Sequence, residues 1–257
     1  MPHISLAAEI ITRIAGFPIS NALITTWLVM GILIVMSYLA TRQMSLVPSQ
    51  GQSIAEMLVG GLYDFFASVT GKHVSHVFPL VASLFLFILA ANWVGLLPGV
   101  GTVGLFRQVH EGEEFVPLLR GATADLNTTV ALAVFAMVAI QYFGFKTAGI
   151  HYSKRFLNFD NPIYFFLGIL ELVSEVSKVV SFAFRLFGNI FAGEVLLTVM
   201  AFLMPFVVPL PFIAMELFVG FIQALVFSML TAVFLSVAVS HGEHEKLVAE
   251  GGGVHHG

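Results

Sequence analysis

From Pro162 to Leu203 the chain runs for about 42 residues with few polar interruptions, and that run constrains the fold more than any other feature. A helix crosses the roughly 30 Å hydrocarbon core of a bilayer with about 20 apolar residues. At 1.5 Å per residue this stretch is about 63 Å long as one helix. To stay within the hydrocarbon it must break or tilt by about 60°, well past the common range of about 0–40°. A second apolar run, Pro211–Val239, follows a turn marked by Pro205, Pro209 and Pro211. A strongly inclined pair of helices is no ordinary bundle and points to a special task for one membrane face.

Three earlier stretches are long and apolar enough to span: Ile19–Ala40, Val77–Leu97 and Asp125–Phe145. Together with 162–203 and 211–239 they give an all-α membrane protein of five transmembrane helices in a single domain over 1–257. Ile54–Phe66 reads as an amphipathic helix lying at the membrane surface. Gly99–Ala124 and Lys146–Asp160 read as polar loops, and 241–257 as a polar tail. The start Met1-Pro-His-Ile-Ser has no basic region of the kind that opens a cleaved signal, so the first span is expected to persist. No repeat of solenoid period is present.

Composition agrees. Of the 257 residues 58% are apolar and only 10% charged, against roughly 25% charged in a soluble domain. Net charge is −4, which excludes the basic face of a nucleic-acid binder. The chain has no Cys, which removes disulfides, thiolate metal sites and Cys nucleophiles. Six loop cations (Arg42, Lys72, Lys146, Lys154, Arg155, Lys246) fall on one side of the membrane and three (Arg13, Arg107, Arg120) on the other. The excess marks the cytoplasmic side, which puts the N-terminus outside and the C-terminus inside.

Ionisable groups inside spans are costly and usually functional. The last two apolar runs hold Glu171, Glu175, Lys178, Arg185, Glu194 and Glu216. On a wheel of 100° per residue, Glu171, Ser174, Glu175, Lys178, Ser181, Arg185 and Asn189 share a face about 120° wide. Glu194 lies off it. Glu216, Gly220 and Gln223 share a face of the last helix. Glu171, Glu175 and Lys178 stand at helical pairing distances, so internal pairing and a functional role serve them equally. Arg185 differs, because Ser181, Phe182, Gly188 and Asn189 occupy its i±3 and i±4 positions. A membrane guanidinium without a local counter-ion requires a partner on another helix or another protein.

With the assigned orientation, Glu171 and Glu175 lie toward the cytoplasm, and Glu194, Glu216 and Asp125 toward the outside, with Arg185 between them. Carboxylates relay protons when their surroundings bring their affinity toward neutrality. Arginine effectively never deprotonates. Two acidic half-paths separated by a fixed cation describe a proton route interrupted midway, crossed only if a carrier takes protons past the arginine.

The segment Ser181-Phe-Ala-Phe-Arg185-Leu-Phe-Gly188-Asn189-Ile, followed by Phe-Ala-Gly193-Glu194, closely resembles the signature of subunit a of F-type ATP synthases. Ala124-Asp125-Leu-Asn127-Thr-Thr resembles the start of that family's middle span. Asn161-Pro162 and Glu171…Ser174…Lys178 resemble the lead-in to its arginine helix, and Gly220-Phe-Ile-Gln223 its last helix. The likeness covers most of the chain after Val77. It implies a proton-conducting stator with no ATP chemistry of its own and no cofactor or metal. Arg185 would be the essential stator arginine, facing the carboxylates of a rotating c-ring and separating two offset half-channels. Asn189 and Gln223 would flank it. Glu194 and Glu216 would serve the outer path and Ser181 and Glu171 the inner one; Asp125 joins the outer path and Glu175 the inner one by depth, Glu175 being an extra acid without a family role. It also implies a steeply inclined hairpin for the last two helices, b subunits of the peripheral stalk as further partners, and a bacterial plasma (inner) membrane as location. Where some members carry His, this chain has Glu216, and none of its nine His falls within a span.

Other signals read as background. His241-Gly-Glu243-His244-Glu245 lacks the spacing of a zinc protease motif and reads as solvated tail. Glu111, Glu113 and Glu114 read as a surface acidic run. Gly188, Gly193 and Gly220 suit close helix approach, within the chain or against a neighbour. A secondary transporter would show inverted repeats, and an intramembrane hydrolase a nucleophile–base pair or metal set. Neither pattern is present, and a plain scaffold has no use for an unpaired mid-membrane Arg.

Overall fold

The computed structural model describes residues 8–14, 16–42, 44, 49–97, 100, 103–109, 112–149, 152, 162–204 and 209–251. Six α-helices dominate it: α1 Asn21–Thr41, α2 Gln50–Thr70, α3 Val74–Gly95, α4 Leu126–Ala148, α5 Pro162–Leu203 and α6 Pro209–Gly251. Five of them, all but α2, contain a segment of membrane-spanning length and hydropathy. Each matches an expected span to within a few residues. The lead-in Asn161, the loop cations Lys154 and Arg155, and Glu111 lie outside the described residues.

α5 is unbroken across its 42 residues. Of the two geometric options for so long a helix, a break is therefore not the one taken. Pro162 opens it, where a missing N–H and a fixed φ cost nothing. α6 runs antiparallel to it: Lys178 meets Phe234, Asn189 meets Gln223, and Gly193 meets Glu216. Phe182, Ala183, Leu186 and Ile190 of α5 are buried with Ala224, Phe227 and Leu235 of α6, in a core that also takes Val81, Leu84 and Ile88 from α3 and Ala133, Ala136 and Ile140 from α4. That buried stripe fixes the rotation of α5 about its axis, and so decides what the opposite stripe presents.

α2 is longer than the expected Ile54–Phe66. Ser49 caps it, its hydroxyl accepting from the Gln52 N–H. Its apolar residues Ile54, Met57 and Leu58 are exposed, with Phe66 and Thr70 turned inward, as suits a helix lying on a bilayer surface.

Three features depart from the expected outline. The tail does not leave the helix at His241, because α6 continues to Gly251. Glu245, Lys246, Leu247, Ala249 and Glu250 are good helix formers, and extending an existing helix needs no new nucleus. The loop Gly99–Ala124 contains an antiparallel hairpin, with Gly104 opposite Pro117 and Phe106 opposite Phe115 in register. A second hairpin, Ile10–Ile14 with Phe17–Ser20, precedes α1 and turns at Gly16, whose φ of 88° suits a residue without a Cβ. We number these strands β1 (Ile10–Ile14), β2 (Phe17–Ser20), β3 (Gly104–Val109) and β4 (Gly112–Pro117).

Candidate functional site: an outward arginine between two acidic regions

Arg185 stands near the middle of α5 and is exposed, as are Ser181, Phe184, Gly188 and Asn189 around it. Its Nη2 donates to Ser181 Oγ at 3.4 Å, one turn back. Among the described residues no carboxylate pairs with it. The buried stripe on the far side of α5 holds the guanidinium outward, away from the chain's own core. One turn on, Asn189 Nδ2 donates to Gln223 Oε1 of α6 at 2.6 Å. Gln223 is buried, and its Nε2 finds no acceptor. The two amides therefore tie the helices together directly beside the arginine.

Toward the C-terminal end of α5, a cavity of about 400 Å³ opens between helices. Glu194 and Glu216 both line it, with Asn21, Asn92 and Arg120. Glu216 is buried at 3% exposure. Its carboxylate lies against Gly193, where a Cβ would collide with both oxygens. The glycine is thus a notch for a charged group from the facing helix. Glu194 is more open, and Arg120 reaches it with Nε at 3.4 Å from Oε1 and Nη2 at 3.4 Å from Oε2. Asn92 braces the cavity: its Nδ2 donates to the Gly220 carbonyl at 2.8 Å, and its Oδ1 accepts from Thr123 Oγ1 at 2.6 Å.

Asp125 does not line this cavity. It precedes α4, buried, and its oxygens accept from Asn127 Nδ2 at 3.4 Å and Thr128 Oγ1 at 3.3 Å. Its surroundings are those of a helix start.

Toward the N-terminal end of α5, Glu175 and Lys178 pair at 2.7 Å, and the ammonium sits 4.8 Å from the Phe234 ring centroid on α6. Glu175 is buried, with Oε2 lacking a partner. Glu171 is half-buried one turn earlier and Ser174 is exposed. Ser181 belongs with the arginine, at the boundary of this region.

Two contributors escaped the sequence reading. Arg120 counts there only as a loop charge, and its acidic partner is far along the chain. Asn92 is a neutral amide in an apolar run, and its place inside a span was the available signal.

A five-span helical protein with an outward cation between two acidic regions is an integral membrane protein built around ion passage. Similarity to known proteins narrows this. A family model described as ATP synthase A chain matches residues 23–236. ATP synthase subunit a of Geobacter sp. (strain M21) is 38% identical over 225 residues, covering 86% of this chain and 89% of that protein. The same subunit of Geotalea daltonii is 35% identical over 226 residues, with 87% and 89% covered. That of Citrifermentans bemidjiense is 37% identical over 225 residues, with 86% and 89% covered. The chain belongs to the ATP synthase subunit a family, whose members are non-catalytic, proton-translocating subunits of the membrane sector.

Proposed function

We propose that this chain is the stator half of a rotary proton path, with Arg185 as its essential fixed charge. The observation that carries the reading is the outward guanidinium without a carboxylate partner among the described residues, on the helix whose Glu194 lines, with Glu216, a cavity nearer its C-terminal end. A positive charge facing a membrane partner favours the ionised form of any carboxylate brought against it. A ring carboxylate arriving at Arg185 therefore gives up its proton, and a ring carboxylate leaving it takes one. Because arginine holds its own proton, the same charge blocks direct passage between the two acidic regions.

Glu194 and Glu216 supply the outer half-channel, with Asp125 nearby. Glu171 and Ser181 supply the inner one, with Glu175 held beside them in its pair with Lys178. Asn189 and Gln223 orient the helices on either side of the arginine. The partners are a c-ring along the exposed face of α5 and b subunits of the peripheral stalk. The chain sits in a bacterial plasma membrane with its N-terminus outside and its C-terminus cytoplasmic. Each charge moved is worth about 2.3 kcal/mol per 100 mV, which the complex converts into a bias on rotation.

The test is Arg185→Ala in the assembled complex, with ATP-driven proton pumping and passive leak measured in membrane vesicles. Pumping is expected to fall at least about 100-fold, a loss of about 2.7 kcal/mol in coupling, with leak unchanged or raised. Normal pumping by the assembled variant overturns the reading.

A further inference from the structure

We propose that Arg120 is a positioning residue of the proton path: it grips Glu194 and sets the geometry and charge under which Glu194 and Glu216 exchange protons. The inference deepens the proposed function and rests on it.

Arg120 lies outside the spans, between β4 and α4, on a segment stitched to two helices. Its backbone N–H donates to Thr25 Oγ1 of α1 at 3.3 Å. Three residues earlier, the Pro117 carbonyl accepts from Asn21 Nδ2 of α1 at 3.3 Å. Gly121 packs on Gly95 of α3 so closely that a Cβ on Gly95 would stand 3.0 Å from the Gly121 Cα. Thr123, two residues on, is bonded to Asn92 of α3. A segment anchored this way delivers its side chain to one place.

That place is the carboxylate of Glu194. Nη2 donates to Oε2 at 3.4 Å and Nε lies 3.4 Å from Oε1 as an ion-pair contact without a hydrogen bond, so one bond and one charge act on the carboxylate. The Arg120 side chain is only 10% exposed, against 40% for Glu194. The cation is thus the enclosed partner and the acid keeps contact with the open side.

The charged groups around the cavity are Glu9, Arg120, Glu194 and Glu216. Two carboxylates facing one small space repel each other when both are ionised. Among the described residues no cation pairs with Glu216, which rests in the notch at Gly193. Arg120 separates the two acids by role, holding Glu194 as an oriented acceptor while Glu216 stands free to take and pass the proton. Arg120 itself carries none.

The test is a double-mutant cycle in the assembled complex, reading ATP-driven pumping and the outer-side pH dependence of ATP synthesis at constant total driving force. Arg120→Gln is expected to slow pumping about 10-fold, the scale of one charge-assisted contact. Arg120→Lys should recover to within about threefold, because the charge is kept while the guanidinium's donor geometry is lost. Because Arg120 is the cation at Glu194, the outer-side pH midpoint of ATP synthesis in Arg120→Gln should differ from that of the unaltered chain. In the Glu194→Gln background, Arg120→Gln should add less than about a twofold further loss. A normal rate with an unmoved pH midpoint overturns the inference, and so do losses that multiply. Where Arg120→Gln does not assemble, the same cycle with Arg120→Lys decides on the same criterion. Normal pumping by Glu194→Gln would instead strike at the proposed path itself. A slow Glu194→Gln beside an unaffected Arg120→Gln strikes only at Arg120.

Discussion

The two ends of α5 carry similar charges in opposite arrangements. At the N-terminal end, Glu175 and Lys178 neutralise each other within one turn, and Phe234 of α6 closes over the ammonium. At the C-terminal end, Glu194 and Glu216 come from different helices and face a cavity of about 400 Å³, where Glu194 meets a cation from a distant segment. Charges that satisfy each other locally leave no vacancy to conduct through. Charges gathered from several elements around a space leave room for water and for exchange. The first arrangement locks two helices together; the second maintains an opening between them.

The largest expected effect that sharpens this contrast is at the notch. Gly193→Val puts atoms where the Glu216 carboxylate lies. Pumping should fall to background in the assembled complex, and Glu216→Ala in the same chain should recover thermal stability by vacating the space while pumping stays lost. A Gly193→Val variant that pumps normally would show that the two helices do not meet as described.

At the locked end, Glu175→Ala leaves a mostly enclosed ammonium without its anion. Breaking such a pair costs about 3 kcal/mol, read as earlier thermal dissociation of the detergent-solubilised complex. Replacing both, Glu175→Leu with Lys178→Met, should recover most of that loss with pumping largely kept. Lost pumping in a stable double variant would move this pair from lock to path.

Asn92→Ala removes bonds to Gly220 and Thr123 together. Stability should drop by about 2 kcal/mol at the usual value per hydrogen bond, and the cavity end should be the first to open in hydrogen exchange. Uniform exchange across α3 would argue against Asn92 as its brace.

The smallest effect falls away from both ends. Tyr152→Phe loses one bond to Gln141 Oε1, 2.9 Å long, and should cost about 1 kcal/mol with no change in pumping. A pumping defect there would mean that the contrast between the ends of α5 omits a third region.

The spans were legible because apolar length is a one-dimensional property. About 20 apolar residues in a row mean the same thing whatever the rest of the chain does. The charged stripe was legible because helical periodicity places Arg185 and Asn189 on one face before any packing is known. Periodicity could not say which way that face points. Leu186 and Ile190 decide it by burying the other side. The Glu175–Lys178 pair is local and was visible as one of two readings. Arg120 and Glu194 pair across 74 positions of sequence, which no window along the chain can register. The hairpin β3–β4 was missed because its strands are short and carry charge, which hides their alternation. The helical extension past His241 was missed because a polar composition predicts solvent contact, and solvent contact does not dictate conformation.

The length of α5 has a further consequence. Along the axis, Glu171 and Glu194 are separated by about 34 Å at 1.5 Å per residue. At an inclination of about 60°, that becomes about 17 Å of depth and about 30 Å of travel in the plane of the membrane. The acidic regions are therefore displaced sideways more than vertically. On the proposed reading, a proton that enters near one and leaves near the other needs transport around an arc far more than passage through a pore. An inclined helix thus sets the transverse offset that a turning partner has to cover.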